Sequence, residues 1–164
     1  MSEEKLEITY YLEMRSPDQH QVRQCADPEF SVREVQPVNP GLNQRFYREV
    51  GEQYEWDDQR EWTLEQWANH IRKEGLVTYV AYSGERELGY FELAPQGKEI
   101  ELLYFGLLPD AVGKGYGSAM LSQAIDRAWA LVQEAGVEDA RVWVHTCNFD
   151  HPNALGNYQR VGFV

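Results

Sequence analysis

Long apolar runs, paired cysteines and an excess of basic residues are all missing from this 164-residue chain, and each absence closes off a class of function. No stretch approaches the roughly 18 apolar residues that cross a bilayer, and Met1 to Glu7 lack the apolar segment of a secretion signal. The two cysteines, Cys25 and Cys147, stand far apart with no short pairing motif. A cytoplasmic setting with reduced thiols is the expectation. Only 15 Lys and Arg stand against 27 Asp and Glu, a formal charge of -12. That field repels phosphate backbones and anionic membranes and attracts cations, so neither nucleic acid nor a membrane is an expected partner.

What is present suffices for one core. With 43% hydrophobic and 13% aromatic residues, a chain of this length fits a single domain over residues 1–164. Leu6 to Met14 and Phe30 to Gln36 are rich in β-branched and aromatic residues and read as strands. Leu42 to Glu55 spaces Leu42, Phe46 or Tyr47, Val50 and Tyr54 as a helix, and Thr63 to Glu74 sets Leu64, Trp67 and Ile71 behind a capping Thr63. Leu76 to Tyr82, Glu87 to Leu93 and Glu99 to Leu108 are strands split by short turns, which favours an antiparallel meander. Tyr116 to Ala135 is a long amphipathic helix closed by Gly136. Arg141 to Thr146 is a strand, and Pro152 to Arg160 a short helix with Pro152 in its first turn and Asp150 as its cap.

Gly113, Gly115 and Gly117 lie between an apolar strand and that long helix. Backbone N–H groups in such a loop, with the positive end of the helix, suit a phosphate; glycines serving only a positive-φ turn are the plain alternative. The spacing fits neither the dinucleotide pattern Gly-x-Gly-x-x-Gly nor a P-loop, because Gly113-Lys114 is followed by Gly115 instead of Ser or Thr.

Glu101 to Ser118 (ELLYFGLLPDAVGKGYGS) resembles the acyl-CoA-binding motif Gln/Arg-x-x-Gly-x-Gly/Ala of the GCN5-related N-acetyltransferase superfamily, with the motif glycines at Gly115 and Gly117 and Pro109 in its usual place. Ala154, Tyr158, Gly162 and Phe163 are similar to that family's closing helix signature. The resemblance implies an α/β fold whose central, twisted, mostly antiparallel sheet is splayed at the acyl-CoA site and flanked by helices. It implies acetyl-CoA as cosubstrate, no metal, a small-molecule or peptide amine as acceptor, and the homodimeric pairing common among members. Leu107, Val112, Gly113, Lys114, Gly115, Tyr116, Gly117 and Ser118 would hold the cofactor. Three departures stand out: Val112 replaces the Gln/Arg of the motif, His151 stands where many members have Asn, and Gly162-Phe163 is followed only by Val164 where the family adds two strands. Leu6 to Met14 is expected to fill the vacant place beside Arg141 to Thr146.

Acetyl transfer to an amine needs a base, a polarised carbonyl and an acid. Glu101 falls at the place of the catalytic glutamate in the histone-acetyltransferase branch, while a solvent-facing role for Glu101, or Glu99 as base, stays open. The backbone N–H of Leu107 matches the family's carbonyl donor. Tyr158 matches the tyrosine that protonates the CoA sulfur; a helix tyrosine packed on the sheet is the alternative. Neither cysteine is placed as a nucleophile, so direct attack in a ternary complex is expected. His145, Cys147, Asp150 and His151 have metal-ligand chemistry but run from a strand end into a helix start, and the two histidines fit an acceptor pocket as well. Trp56, Asp57, Asp58, Arg60 and Trp62 suit a cation-binding wall or, equally, a tryptophan pair closing the core. A non-catalytic acyl-CoA-binding module is the competing function.

Overall fold

The computed structural model describes residues 6–54 and 56–164; the readings of Met1 to Lys5 and of Glu55 lie outside the described residues. The strands are β1 (Thr9–Met14), β2 (Phe30–Glu34), β3 (Val77–Ser83), β4 (Arg86–Gln96), β5 (Glu99–Leu107) and β6 (Arg141–Cys147). The helices are α1 (Pro40–Gly51), α2 (Leu64–Ile71), α3 (Tyr116–Ala135) and α4 (Ala154–Arg160). One sheet holds all six strands in the order β1-β6-β5-β4-β3-β2. Every neighbouring pair is antiparallel except β5 and β6, which α3 connects as the crossover a parallel pair requires.

Alternation along the strands divides the interior into two layers. Leu12, Met14, Phe91, Leu93, Ile100, Leu102, Val142 and Val144 turn to one face, where Met120, Leu121, Ala124, Ile125 and Ala128 of α3 cover them. On the other face Val80 and Tyr90 meet Phe46, Tyr47 and Val50 of α1 and Trp67 of α2. Both Phe46 and Tyr47 are buried, so α1 uses the two residues its spacing offered as alternatives.

Helix ends follow local chemistry. Asn39 caps α1 through Leu42 N–H, and Thr63 exchanges reciprocal bonds with Gln66 at the start of α2. α1 stops at Gly51, short of the expected Glu55, where the Trp56 ring packs so closely that a Cβ on Gly51 would lie 2.5 Å from Trp56 Cβ. α4 begins at Ala154 with Asn153 as its N-cap. Pro152 therefore precedes the helix, and Asp150 is no cap: its Oδ2 accepts from Thr146 Oγ1 (2.6 Å) and Cys147 N–H (3.0 Å), folding back onto β6.

β1 lies antiparallel to β6, with Leu12 opposite Val144 and Met14 opposite Val142. It thus takes the place beside Arg141 to Thr146 that the sequence reserved for it. The strand begins at Thr9, and ahead of it Asn148 holds Ile8 and Leu6 through its backbone N–H and its side chain; Leu6 is exposed.

Candidate active site

The β5–β6 ladder runs only from Glu99 opposite Arg141 to Leu102 opposite Val144, after which the strands part. On the other side of β5 the register slips between Tyr90 and Glu92, and Tyr104 takes φ 51°. A bulge of this kind bends the strand and re-aims the residues beyond it. Gly106, just past it, admits α1: a Cβ there would sit 2.2 Å from Val50 Cγ1. Leu108 N–H bonds Leu88 O at 2.8 Å. By the antiparallel alternation, the backbone groups of Leu107 then point away from β4 into the opening, and the Leu107 carbonyl indeed accepts from Gln53 Nε2 at 3.0 Å instead of from a strand.

Two cavities meet in this opening. The first, about 280 Å³, lies under the glycine loop and is walled by Leu107, Val112, Gly113, Gly115, Gly117 and Ser118 on one side and by Tyr158 and His151 on the other. Gly113 and Gly115 hold φ 81° and 86°, and nothing lies within 4 Å of where their Cβ atoms would be. Gly115 is the N-cap of α3 and supplies no side-chain cap, so the helix's first N–H groups are free to meet an anion. Of the eight residues expected to hold a cofactor, Lys114 and Tyr116 are not on this wall. Lys114 is exposed. The Tyr116 hydroxyl donates to Asp27 Oδ2 (2.6 Å) and its ring stacks on Phe30, so the side chain ties α3 to the stretch before β2. Hydrogen bonds from Ser83, Tyr116 and the Glu29 N–H hold the Asp27 carboxyl below its ordinary range.

The second cavity, about 430 Å³, lies on the α1–α2 side of the sheet and shares Trp56, Phe105, Asp150 and Tyr158 with the first. Asp57, Asp58, Glu7 and His145 also line it, and among the described residues no Lys or Arg does. Trp56, Asp57 and Asp58, which the sequence offered either as a cation-binding wall or as part of the core closure, line this cavity. Arg60 reaches Asp57 only at 3.4 Å on an exposed surface, and Trp62 packs against Trp67 and His70 in the core.

Tyr158 stands at the junction, 7% exposed, edge-on to Phe105 and Phe163. Burial, then the charge of Asp150, pushes its phenol well above the ordinary value. The group is a protonated donor at neutral pH. Asp150, missed as a site residue, joins the two walls: besides its bonds to β6, its Oδ1 accepts from Trp56 Nε1 at 3.0 Å.

Glu101 lies on neither cavity. Its Oε2 accepts from His145 Nδ1 at 2.8 Å, which puts the carboxylate one side chain behind the second cavity. Glu99 is engaged by Arg141 at 2.8 Å, in a bridge that Glu13 shares. Burial raises the Cys147 thiol above its usual pKa, the opposite of an activated nucleophile. His151 Nδ1 accepts from Asn153 N–H, and among the described residues no group of three His, Cys, Asp or Glu side chains converges as a metal site.

A splayed mixed sheet whose opening carries an uncapped, glycine-led helix defines the architecture of a GNAT-type acyltransferase. The model of the acetyltransferase (GNAT) family matches residues 42–163, and the chain belongs to that family. Solved structures agree at the level of fold. A GCN5-related N-acetyltransferase from Sphaerobacter thermophilus superposes with a TM-score of 0.70 at 12% identity, over 95% of this chain and 47% of that one. A spermidine N-acetyltransferase from Vibrio cholerae, in complex with CoA and spermine, gives 0.63 at 16% identity, over 83% and 81%. The ribosomal-protein-S18-alanine N-acetyltransferase of Escherichia coli gives 0.60 at 15%, over 82% and 77%. The chain spans about half the length of the first solved structures it matches. Among curated proteins no relative matches.

Proposed function

We propose that this chain transfers the acetyl group of acetyl-CoA to a primary amine, with both substrates bound together. The observation that carries the reading is the position of Tyr158, a buried, protonated phenol where the glycine-loop cavity meets an acid-lined groove. Acetyl-CoA fits the first cavity because the loop offers backbone donors and open space at Gly113 and Gly115 that any side chain would fill. Bound there, it supplies an activated acetyl thioester.

The chain's own groups do the rest. The N–H of Leu107, turned into the opening, is a donor for a developing oxyanion. Tyr158 holds a proton at its hydroxyl for a departing thiolate. Asp150 ties Trp56 to the end of β6, so both walls of the junction keep their spacing. Asp57, Asp58 and Asp150, with Trp56 and Tyr47 as aromatic walls, favour an acceptor that carries positive charge. The free thiols Cys25 and Cys147 suit a reducing, cytoplasmic setting, and no helix among the described residues is long and apolar enough to cross a membrane.

Release of CoA thiol from acetyl-CoA, followed across spermidine, lysine and a peptide with a free N-terminal alanine, tests the reading. Amine-dependent release is the expected result. Thermal stabilisation by CoA without release from any of these amines would instead leave a non-catalytic binding module.

A further inference from the structure

Glu101 stops short of the acceptor groove, whereas His145 lines it. We propose that His145 is the catalytic base, taking the ammonium proton at Nε2, and that Glu101 is its positioning residue. This rests on the acetyl-transfer reading above.

A carboxylate only accepts hydrogen bonds, so the ring nitrogen facing Glu101 Oε2, Nδ1, carries the hydrogen, and the lone pair of the neutral ring falls on Nε2. Nε2 has no protein partner among the described residues. The ring is held in orientation by the Trp143 and Tyr11 rings, with centroids 6.0 and 6.1 Å away. The same half-exposed side chain is open to solvent (47%), while Glu101 behind it is 18% exposed.

Titratable groups share the cavity with His145 from every neighbouring element: Tyr104 from β5, Tyr11 from β1, Glu7 ahead of β1, Tyr47 from α1, Asp57 and Asp58 from the α1–α2 connection, Asp150 from the turn after β6, Tyr158 from α4 and Cys147 on its own strand, with Glu101 of β5 bonded to the ring from behind. The hydrogen bond to Glu101 outweighs desolvation, and the charges of Glu101, Asp150 and Asp58 add to it, so the imidazole binds its proton more tightly than an ordinary histidine. That makes it a stronger base toward an aliphatic ammonium, whose own pKa is about 10.4. In the step itself one N–H bond of the ammonium breaks, its electron pair stays on the amine nitrogen, and the proton binds Nε2. The imidazolium formed beside Glu101 returns that proton to water from its exposed edge. No further reactant is needed.

The test pairs His145→Gln and Glu101→Gln with wild type, using the full amine panel above and nitrogen-15 NMR of the His145 ring. Glutamine at 101 keeps an acceptor for Nδ1–H but removes the charge. Expected are an acid limb in the wild-type kcat/KM profile above the ordinary histidine value and a downward shift of that limb in Glu101→Gln. The NMR midpoint of His145 moves down in parallel. His145→Gln lowers kcat/KM about 10²-fold or more and removes the limb. Retained turnover with an unchanged limb in His145→Gln overturns the base assignment alone, as does an unmoved NMR midpoint in Glu101→Gln. Absence of turnover from every amine in wild type overturns the transfer reading and the base together.

Discussion

At the residue scale, the sharpest contrast lies between Tyr158 and Glu92, two groups sealed among aromatic and apolar neighbours. Burial keeps the Tyr158 phenol protonated, which is the state its proposed role requires. Tyr158→Phe removes one oxygen and leaves the packing against Phe105 and Phe163. It should therefore lower kcat about 10²-fold or more while the melting temperature and CoA affinity hold, as calorimetry would show. Glu92 is fully buried, and His70 Nε2 at 2.5 Å and Asn43 Nδ2 at 3.0 Å both donate to it. Asn43 also bonds Thr78, which ties α1 and α2 to the sheet beneath Tyr104. His70→Ala would leave Glu92 Oε1 without its donor in the core, with Asn43 still on the other oxygen, at a cost of about 1–3 kcal/mol, measurable as a fall in the urea midpoint. Nothing in the sequence announced this pair. Strand alternation buries Glu92, but its partner is 22 residues earlier on a helix face that reads as apolar.

At the scale of elements, the glycine loop separates affinity from stability. Gly115→Ala forces a side chain into left-handed backbone, at roughly 1–2 kcal/mol, in a place where no protein atom lies within 4 Å. Its Cβ would occupy the space left for a phosphate, so the Kd for CoA should rise by more than the lost stability would suggest; equal effects on both would mean the loop is only a turn. The order and type of β1 to β6 and α1 to α4 were legible, because periodicity and turn residues act locally, whereas the short 3-10 turns Pro17–Gln19 and Pro109–Ala111 were not. The pairing of β1 with β6 was expected from the family resemblance, as an extra strand beside Arg141 to Thr146, and not from periodicity. Tyr116 was assigned by motif position, yet its side chain obeys Asp27, 89 residues away. Asp150 was read as a cap from its place before a helix, whereas the end of β6 and Trp56 claim both its oxygens. Side-chain direction at a strand–helix junction depends on such distant partners, which spacing does not encode.

On the scale of the whole molecule, a charge of -12 surrounds a groove whose charged lining is acidic. Raising ionic strength from about 0.01 M to about 1 M shortens the Debye length from about 30 Å to about 3 Å, so kcat/KM for a dicationic amine should fall steeply with salt; a flat profile would argue against a cationic acceptor. The proposed transfer stands apart from any substrate preference: in this reading a splayed sheet, a phosphate-ready loop and Tyr158 together move an acetyl group. Mass spectrometry of amines incubated with acetyl-CoA and either wild type or Tyr158→Phe reads that transfer without an intermediate assay. Wild type should yield an amine heavier by one acetyl group, and the variant the same product much more slowly. Equal rates from the two proteins, or no acetylated amine although CoA binds, would show that Tyr158 and this opening do not carry the reaction.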